Sequence, residues 1–367
     1  MSDPSKGPSD GTSNRTSNGT SNGTEVVLEA RGLVKTFTTG RGGLRRDRIS
    51  AVDGVDLSLR AGEALGIVGE SGCGKSTLAR MLVGLEVPDS GTIRFRGRDV
   101  TAGTRDDRRW MSQGVQMVFQ DPYTSLDPRM TVLEIVSEPL VATGRLRRGD
   151  RRRRVGELLS LVGLSPELME RYPHQFSGGQ RQRIGIARAL AVEPSVLVCD
   201  EPVSALDVSV QAQVVNLLRD LQKRLGVALL FIAHDLSVVR HVSDRVAVMY
   251  LGRIAEYGDT SSLYTSPAHP YTGALLSASP VVDRERRGRM ATRVMLLGDP
   301  PSPADPPTGC RFHTRCPAAQ PRCSVEVPAL RHPEEDHDHE RVAACHFAED
   351  VLAGRAPARS LESHAAG

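Results

Sequence analysis

The sequence predicts an α/β fold organised on a buried parallel sheet, and three observations carry that expectation. The apolar run Ala64 to Val68 leads into Gly69-Glu70-Ser71-Gly72-Cys73-Gly74-Lys75-Ser76-Thr77 and then into a helical stretch, Leu78 to Val83. Three further short apolar runs, Val115 to Phe119, Val196 to Cys199 and Val227 to Ala233, each end in polar residues: Gln120, Asp200-Glu201 and His234. Unbroken apolarity of that length is what a strand covered on both faces requires. Helical patterns lie between the runs, as where Val214, Leu217, Leu218, Leu221 and Leu225 repeat on one face before Lys223, Arg224 and the stop signal Gly226.

Taken in order, residues 1–24 are Ser, Gly, Asn and Thr with a Thr-Ser-Asn repeat, too polar to order themselves. Their N-x-T triplets at Asn14, Asn18 and Asn22 read as by-products of the repeat. Strands are expected at Val26 to Ala30, Leu33 to Phe37 and Val55 to Leu59, with an exposed loop over 38–49. Phe37 is either a core residue or an aromatic placed to stack on a purine.

Gly69 to Ser76 matches G-x-x-x-x-G-K-[ST], a phosphate-binding loop. Gly69, Gly72 and Gly74 let the backbone curl toward phosphate oxygens without a Cβ in the way. Glu70, Ser71, Cys73 and Thr77 complete the loop that leads into the helix N-terminus. Lys75 would reach the outer phosphates and Ser76 would hold Mg²⁺. The chain writes nearly every cation as Arg, with Lys at Lys6, Lys35, Lys75 and Lys223, so a Lys kept in the loop points to a need for a compact ammonium.

Downstream, residues 131–173 read as helical, with Val155, Leu158, Leu159 and Val162 on one face. Phe176-Ser177-Gly178-Gly179-Gln180 opens another helix; Ser177 can cap it, and the paired glycines leave its N-terminus bare, a second phosphate-type site without a lysine. Asp200 and Glu201 together at a strand's carboxyl end are costly to bury without a cation. Mg²⁺ held through Asp200 removes that cost, and Glu201 is left free to polarise water. Asp207 either belongs to this site or caps the helix that follows. His234 joins Gln120 and Glu201 on the same rim.

At 367 residues the chain has room for about two domains. A net charge of +3 provides no global field for nucleic acid, although Arg-rich runs at 41–48, 145–154 and 284–293 could face solvent, anionic headgroups or a partner. No apolar run approaches the roughly 18–20 residues of a membrane helix. The N-terminus lacks a signal-peptide pattern, and the scattered cysteines fit a reducing, cytoplasmic setting.

The order P-loop, Gln120, Ser-Gly-Gly-Gln, Asp-Glu, Ser-Ala-Leu-Asp, His resembles the nucleotide-binding subunits of ABC transporters over residues 25 to about 280. Gly309-Cys310-Arg311-Phe312 and Ala344-Cys345-His346 resemble the tail of oligopeptide/dipeptide importer ATP-binding subunits, and Gly-Glu-Ser-Gly-Cys-Gly-Lys-Ser with Val-Phe-Gln-Asp-Pro looks like their F-type member. Phe176 stands where that family's signature usually has Leu, an apolar exchange expected to cost nothing.

The resemblance implies an ABC domain at 25–280 with a RecA-like core, an antiparallel β subdomain and a helical insertion at about 130–190. It also implies a C-terminal domain at 281–350 and a disordered end at 351–367. It implies ATP and Mg²⁺ as cofactors, with Gln120, Glu201 and His234 catalytic and Ser76, Gln120 and Asp200 at the metal. Phe37, the loop Gly69 to Thr77, Ser177 to Gln180 and Asp207 would contact nucleotide. It further implies a head-to-tail, heterodimeric pair sandwiching ATP, two membrane permease subunits, an extracellular solute-binding protein acting indirectly, and a peripheral place on the cytoplasmic face of the membrane. The alternative is a soluble ABC-type ATPase uncoupled from transport. Ribosome- or nucleic-acid-directed relatives usually carry two nucleotide domains or a long coiled coil, which this chain lacks; an intact Glu201 argues against a non-catalytic regulator.

Cys310, Cys316, Cys323 and Cys345, spaced C-x5-C-x6-C-x21-C, match neither zinc-finger nor ferredoxin spacing. They sit among many prolines in a tail with little core-forming sequence. A Cys₄ site is expected, iron–sulfur rather than zinc on the resemblance of such tails to cluster-bearing ones, with buried or free thiols as the alternative. The ATP site is expected to be built from a core separate from this tail. His332, His337 and His339 are expected to be solvated.

Overall fold

The computed structural model describes residues 25–39, 47–121, 124–145, 148–278, 299–334, 336, 338 and 340–355. The 1–24 segment with its three Asn triplets, most of the Arg run at 41–48, all of that at 284–293, His337, His339 and the end of the chain from 356 lie outside these residues.

The chain opens with two long strands, β1 (Val26–Thr39) and β2 (Asp47–Arg60). Two strands expected at 26–37 are thus one, because Gly32 takes a left-handed φ of 57° at a register shift and lets the strand bend without ending. The loop expected at 38–49 is correspondingly shorter. Next come β3 (Ala64–Val68), α1 (Lys75–Leu82), β4 (Ser90–Phe95), β5 (Arg98–Asp99), α2 (Arg105–Gly114) and β6 (Val115–Val118). The middle of the chain is helical: α3 (Val132–Ala142), α4 (Arg151–Leu161) and α5 (Gly178–Leu190). Thr131 starts α3 through a reciprocal capping box with Glu134. Then follow β7 (Val196–Asp200), α6 (Val208–Leu225), β8 (Ala228–Ile232), α7 (Leu236–Val242), β9 (Arg245–Tyr250), β10 (Arg253–Asp259), α8 (Thr260–Thr265) and α9 (Pro270–Ala278), with a late strand β11 (Val342–Ala343) in the tail.

Two sheets result. An antiparallel sheet runs β2-β1-β4-β5, and a seven-stranded sheet runs β11-β10-β9-β3-β8-β7-β6. In the second, β9, β3, β8, β7 and β6 are parallel, while β10 and β11 close one side antiparallel. The strands β3, β7, β8 and β9 are buried at every residue, which is why they read as apolar runs, with buried charges only at Asp200, the end of β7, and Arg245, the start of β9. Parallel order brings the carboxyl ends of β3, β8, β7 and β6 to one rim, and with them the P-loop, His234, Asp200-Glu201 and Gln120.

The four positions Val155, Leu158, Leu159 and Val162 are buried as expected, and so is Phe176. In the Arg-rich stretch at 145–154, of which 146 and 147 lie outside the described residues, Arg152 meets Glu170, Arg153 meets Asp150 and Glu157, and Arg154 meets Glu157 and Glu193. The tail does not stand apart from the main core. Phe312, Cys316 and Ala318 belong to the same buried cluster as Val68, Cys199 and Tyr250, and β11 extends the main sheet. His332 is exposed, as expected, with Nδ1 2.9 Å from the Arg341 carbonyl oxygen.

Candidate nucleotide site

The loop after β3 is shaped by contacts that only glycine permits. Gly74 has φ 107°, and a Cβ there would fall 1.9 Å from the Ala51 carbonyl oxygen; at Gly69, φ 156°, it would fall 2.1 Å from that of Met249. The loop is pressed against β2 on one side and β9 on the other, so its backbone path is fixed before any ligand arrives. Lys75, the first residue of α1, turns back into the loop and donates to the Gly69 and Glu70 carbonyls at 2.8 and 3.0 Å. Cys73 is buried beneath it, and burial pushes its thiol pKa up, with Lys75 opposing.

Beside the lysine, the Ser76 hydroxyl donates to Asp200 Oδ1 at 3.0 Å. Asp200 is 5% exposed. Burial pushes its carboxyl pKa above the ordinary value; the Ser76 bond pulls it back, and neighbouring Glu201 raises it further. A buried carboxylate whose direct partner is one hydroxyl is suited to a cation. Ser76 and Asp200 therefore suit Mg²⁺, while Gln120 contacts the neighbouring Glu201.

Glu201 follows at once with φ 44°, a left-handed conformation in a non-glycine residue. Such a turn costs about 1–3 kcal/mol and persists where surrounding structure imposes it. Its effect is to aim Glu201 away from Asp200. Gln120 Nε2 donates to Glu201 Oε2 at 2.9 Å, and His234 Nδ1 stands 3.9 Å from the same oxygen. Three strand ends thus gather an amide, a carboxylate and an exposed imidazole at one point, an arrangement able to hold and polarise a water.

The second glycine-rich segment is a capped helix start. Gln180 N–H donates to Ser177 Oγ and Ser177 N–H to Gln180 Oε1, at 3.4 and 3.1 Å. Gly178 and Gly179 carry no side chain over the end of α5, and Ser177 faces solvent. Asp207 occupies the position before α6 without a side-chain capping bond. Both it and the neighbouring Val208, 82% exposed, look outward. Phe37 is 38% exposed, so it is not a core residue, and Lys35 Nζ lies over its ring, 5.7 Å from the centroid.

Residues 52–204 match the family described as ABC transporter, and residues 255–323 match the oligopeptide/dipeptide transporter C-terminal region. A di/tripeptide transport ATP-binding protein, DppF of Pseudomonas aeruginosa, is 49% identical over 329 residues, spanning 89% of this chain and 99% of that one. The chain belongs to the ABC transporter ATPases, in their oligopeptide/dipeptide family. OppF of Salmonella typhimurium, an oligopeptide transport ATP-binding protein, is 54% identical over 283 residues, covering 77% of this chain and 84% of the relative. Among solved structures, a dimeric ATP-binding cassette in a post-hydrolysis state with ADP and Pi matches with a TM-score of 0.57 at 30% identity, covering 64% of this ABC ATPase and 98% of that cassette.

The tail contributes to this site in a way the sequence reading missed. Arg315 Nη1 lies 3.0 and 2.9 Å from the two carboxylate oxygens of Glu70 in the P-loop, and the Glu70 N–H donates to Tyr271 Oη at 3.0 Å. Neither residue sits in a recognisable nucleotide motif. The signal available was weak: an arginine among cysteines and an aromatic between them, Cys310-Arg311-Phe312-His313-Thr314-Arg315-Cys316.

Cys310, Cys316, Cys323 and Cys345 all line one small enclosed cavity beneath Phe312 and Phe347. Burial pushes the Cys316 and Cys345 thiols up to about 12 and raises Cys310 as well. Among the described residues, no group of three or more His, Cys, Asp or Glu is gathered closely enough to hold a metal ion. The expected Cys₄ metal site is therefore not assembled with the side chains as they lie. Among the same residues, no helix is long and apolar enough to cross a membrane.

Proposed function

We propose that this chain is the ATP-hydrolysing subunit of a peptide-class importer, acting as one half of a head-to-tail pair on the cytoplasmic face of a membrane beneath two permease subunits. The observation that carries the reading is the meeting of Gln120, Glu201 and His234 on the rim beside Ser76 and Asp200. Lys75 leaves its loop carbonyls to take the outer phosphates. Ser76, Gln120 and Asp200 would hold Mg²⁺, which would supply charge neutralisation there. Glu201 accepts a proton from the attacking water while Gln120 and His234 fix that water and the terminal phosphate. The start of α5, with Ser177 and Gln180 exposed, is with Asp207 and Val208 the surface offered to nucleotide on a second subunit. Relatives named as peptide transport proteins, and a dimeric cassette among the structural neighbours, support the pairing and the solute class. A heterodimer with a related subunit fits the F-type resemblance, and a separate extracellular binding protein would deliver the peptide.

Glu201→Gln tests the reading in the reconstituted transporter. ATP binding should persist, turnover should fall by roughly 10²–10⁴, the usual worth of a general base, and the ATP-bound pair should become long-lived. Near-normal hydrolysis would move the proton-accepting role away from Glu201.

The tail cysteines extend the proposal. Their shared cavity supports a site for an iron–sulfur cluster or zinc, although burial raises the Cys310, Cys316 and Cys345 thiols more than the backbone N–H groups of Phe312, Ala318 and Phe347 lower them. The four sulfurs would have to draw together and lose their protons, which a bound cation favours. Metal analysis of protein purified without oxygen decides it: stoichiometric iron or zinc, lost on changing any one of the four to Ser, is expected. Its absence leaves four buried thiols.

A further inference from the structure

We infer that Arg315 is a positioning residue for nucleotide binding, acting through Glu70 to hold the P-loop in its binding shape; this rests on the reading of Gly69 to Thr77 as the ATP site. The carboxylate of Glu70 is clamped by Arg315, its N–H donates to Tyr271, and its carbonyl accepts from Lys75 and, at 3.3 Å, from the Cys73 N–H. Of these anchors, one must give way in use. When Lys75 turns to the phosphates, the loop surrenders the bonds to Gly69 and Glu70 that the lysine now makes. The anchors of Glu70 that remain outside the loop are Tyr271 from α9 and Arg315 from the tail, beside the Gly252 N–H that holds the Cys73 carbonyl at 2.8 Å. A loop that binds through its own N–H groups loses affinity when those groups must be ordered at the moment of binding, so anchors that outlast the lysine's departure preserve it.

The surroundings show that Arg315 is built in for this contact. It is 6% exposed and reaches Tyr250 Oη at 3.3 Å with its guanidinium 6.0 Å from that ring's centroid. Tyr250, Tyr271 and Phe312 pack with centroids 4.6–5.3 Å apart and form a wall behind the loop. Arg315 Nε is nevertheless buried without a hydrogen-bond partner. An arginine chosen for tail stability alone would not carry that unpaired donor; one chosen to deliver a charge to Glu70 tolerates it.

The geometry also says which substitute should serve. One nitrogen, Nη1, contacts both Glu70 oxygens, so the interaction uses a point charge rather than the two-pronged fork that distinguishes Arg from Lys. The experiment measures ATP affinity of the full-length chain by titration calorimetry, and KM and kcat in its transporter, for Arg315→Met, Arg315→Lys, Glu70→Gln and the double variant Arg315→Met/Glu70→Gln, with Lys75→Ala alongside. Arg315→Met should raise the ATP Kd and KM about tenfold with kcat within about twofold, a coupling typical of contacting residues. Arg315→Lys should stay within about twofold of wild type, and the double variant should be no weaker than either single one. Wild-type affinity in folded Arg315→Met, or losses that multiply in the double variant, would overturn the inference. Should Arg315→Met fail to fold, Glu70→Gln decides: an unchanged Kd sinks the clamp, and a tenfold loss supports it. If Lys75→Ala also binds ATP normally, the failure belongs to the P-loop assignment instead.

Discussion

The strand ends around Lys75 and the tail around Cys316 meet at Glu70, and they are held by different forces. Around Lys75 the framework is apolar and continuous: β3, β7, β8 and β9 are buried along their whole length and fix the site by packing. The tail has a two-residue strand and is tied down by buried polar groups. Arg341 lies between Asp336, at 3.2 Å, and the Ser266 carbonyl, at 2.7 Å. On the main-domain side of this junction Glu256, fully buried in β10 opposite Ala343, accepts from the N–H groups of Ala268 and His269, and His269 in turn accepts from Tyr271 N–H at 3.0 Å. Arg311 bridges Asp53 and the Leu251 carbonyl. Apolar packing is indifferent to pH and spreads the effect of a lost contact over many neighbours. Buried charges are neither, because each leaves an uncompensated partner when one side is removed.

The two regions should therefore break differently. The largest effect belongs to the sheet side. Lys75→Ala leaves the phosphates without their ammonium, so ATP binding should be abolished in calorimetry while the melting temperature in the absence of nucleotide stays close to wild type. Wild-type affinity would separate the P-loop from the site. An intermediate effect, about tenfold in affinity, is expected at the junction itself for Arg315→Met. A third effect bears on stability rather than affinity and belongs to the buried polar groups that adjoin the tail. Complete burial lowers the His269 pKa from its ordinary 6.5 to about 4. Between those values the unfolded chain binds a proton that the folded one refuses, so the His269 contribution to stability is lost as pH falls from about 6.5 to about 4, at about 1.4 kcal/mol per pH unit. Glu256 works the other way: burial pushes its carboxyl from 4.5 to about 7, and its contribution is lost as pH rises through that window. The measurement that isolates His269 is the difference in unfolding free energy between wild type and His269→Gln, which should shrink steadily on acidification. A difference that stays flat from pH 6.5 to 4 would mean that His269 is not buried as described.

Legibility followed the same division. The P-loop, Asp200-Glu201 and His234 could be found because each is a local pattern fixed to the end of an apolar run, and parallel order then places the ends together; Ser177 to Gln180 was legible as a helix start. Gln120 was readable only through its position after Val115 to Phe119. The strand β4 and helix α2 were not anticipated; Ser90 to Phe95 alternates too briefly beside Gly91 to stand out as a strand. The Arg315–Glu70 contact spans 245 positions and has no periodicity to announce it. The fate of Phe37 turned on exposure, which a single aromatic in a strand does not declare.

The pairing of β11 with β10, Ala343 opposite Glu256 and Val342 opposite Tyr257, has a consequence for assembly. Without it, β10 would present Arg253 to Asp259 as an open row of unpaired amides and carbonyls, the template on which a neighbouring chain adds a strand and aggregates. A two-residue outer strand, bridged beyond by the charged Arg331, is too short and too charged to propagate that pairing. A subunit proposed to find a partner with a sheet like its own thus carries its own guard against joining it by the wrong edge.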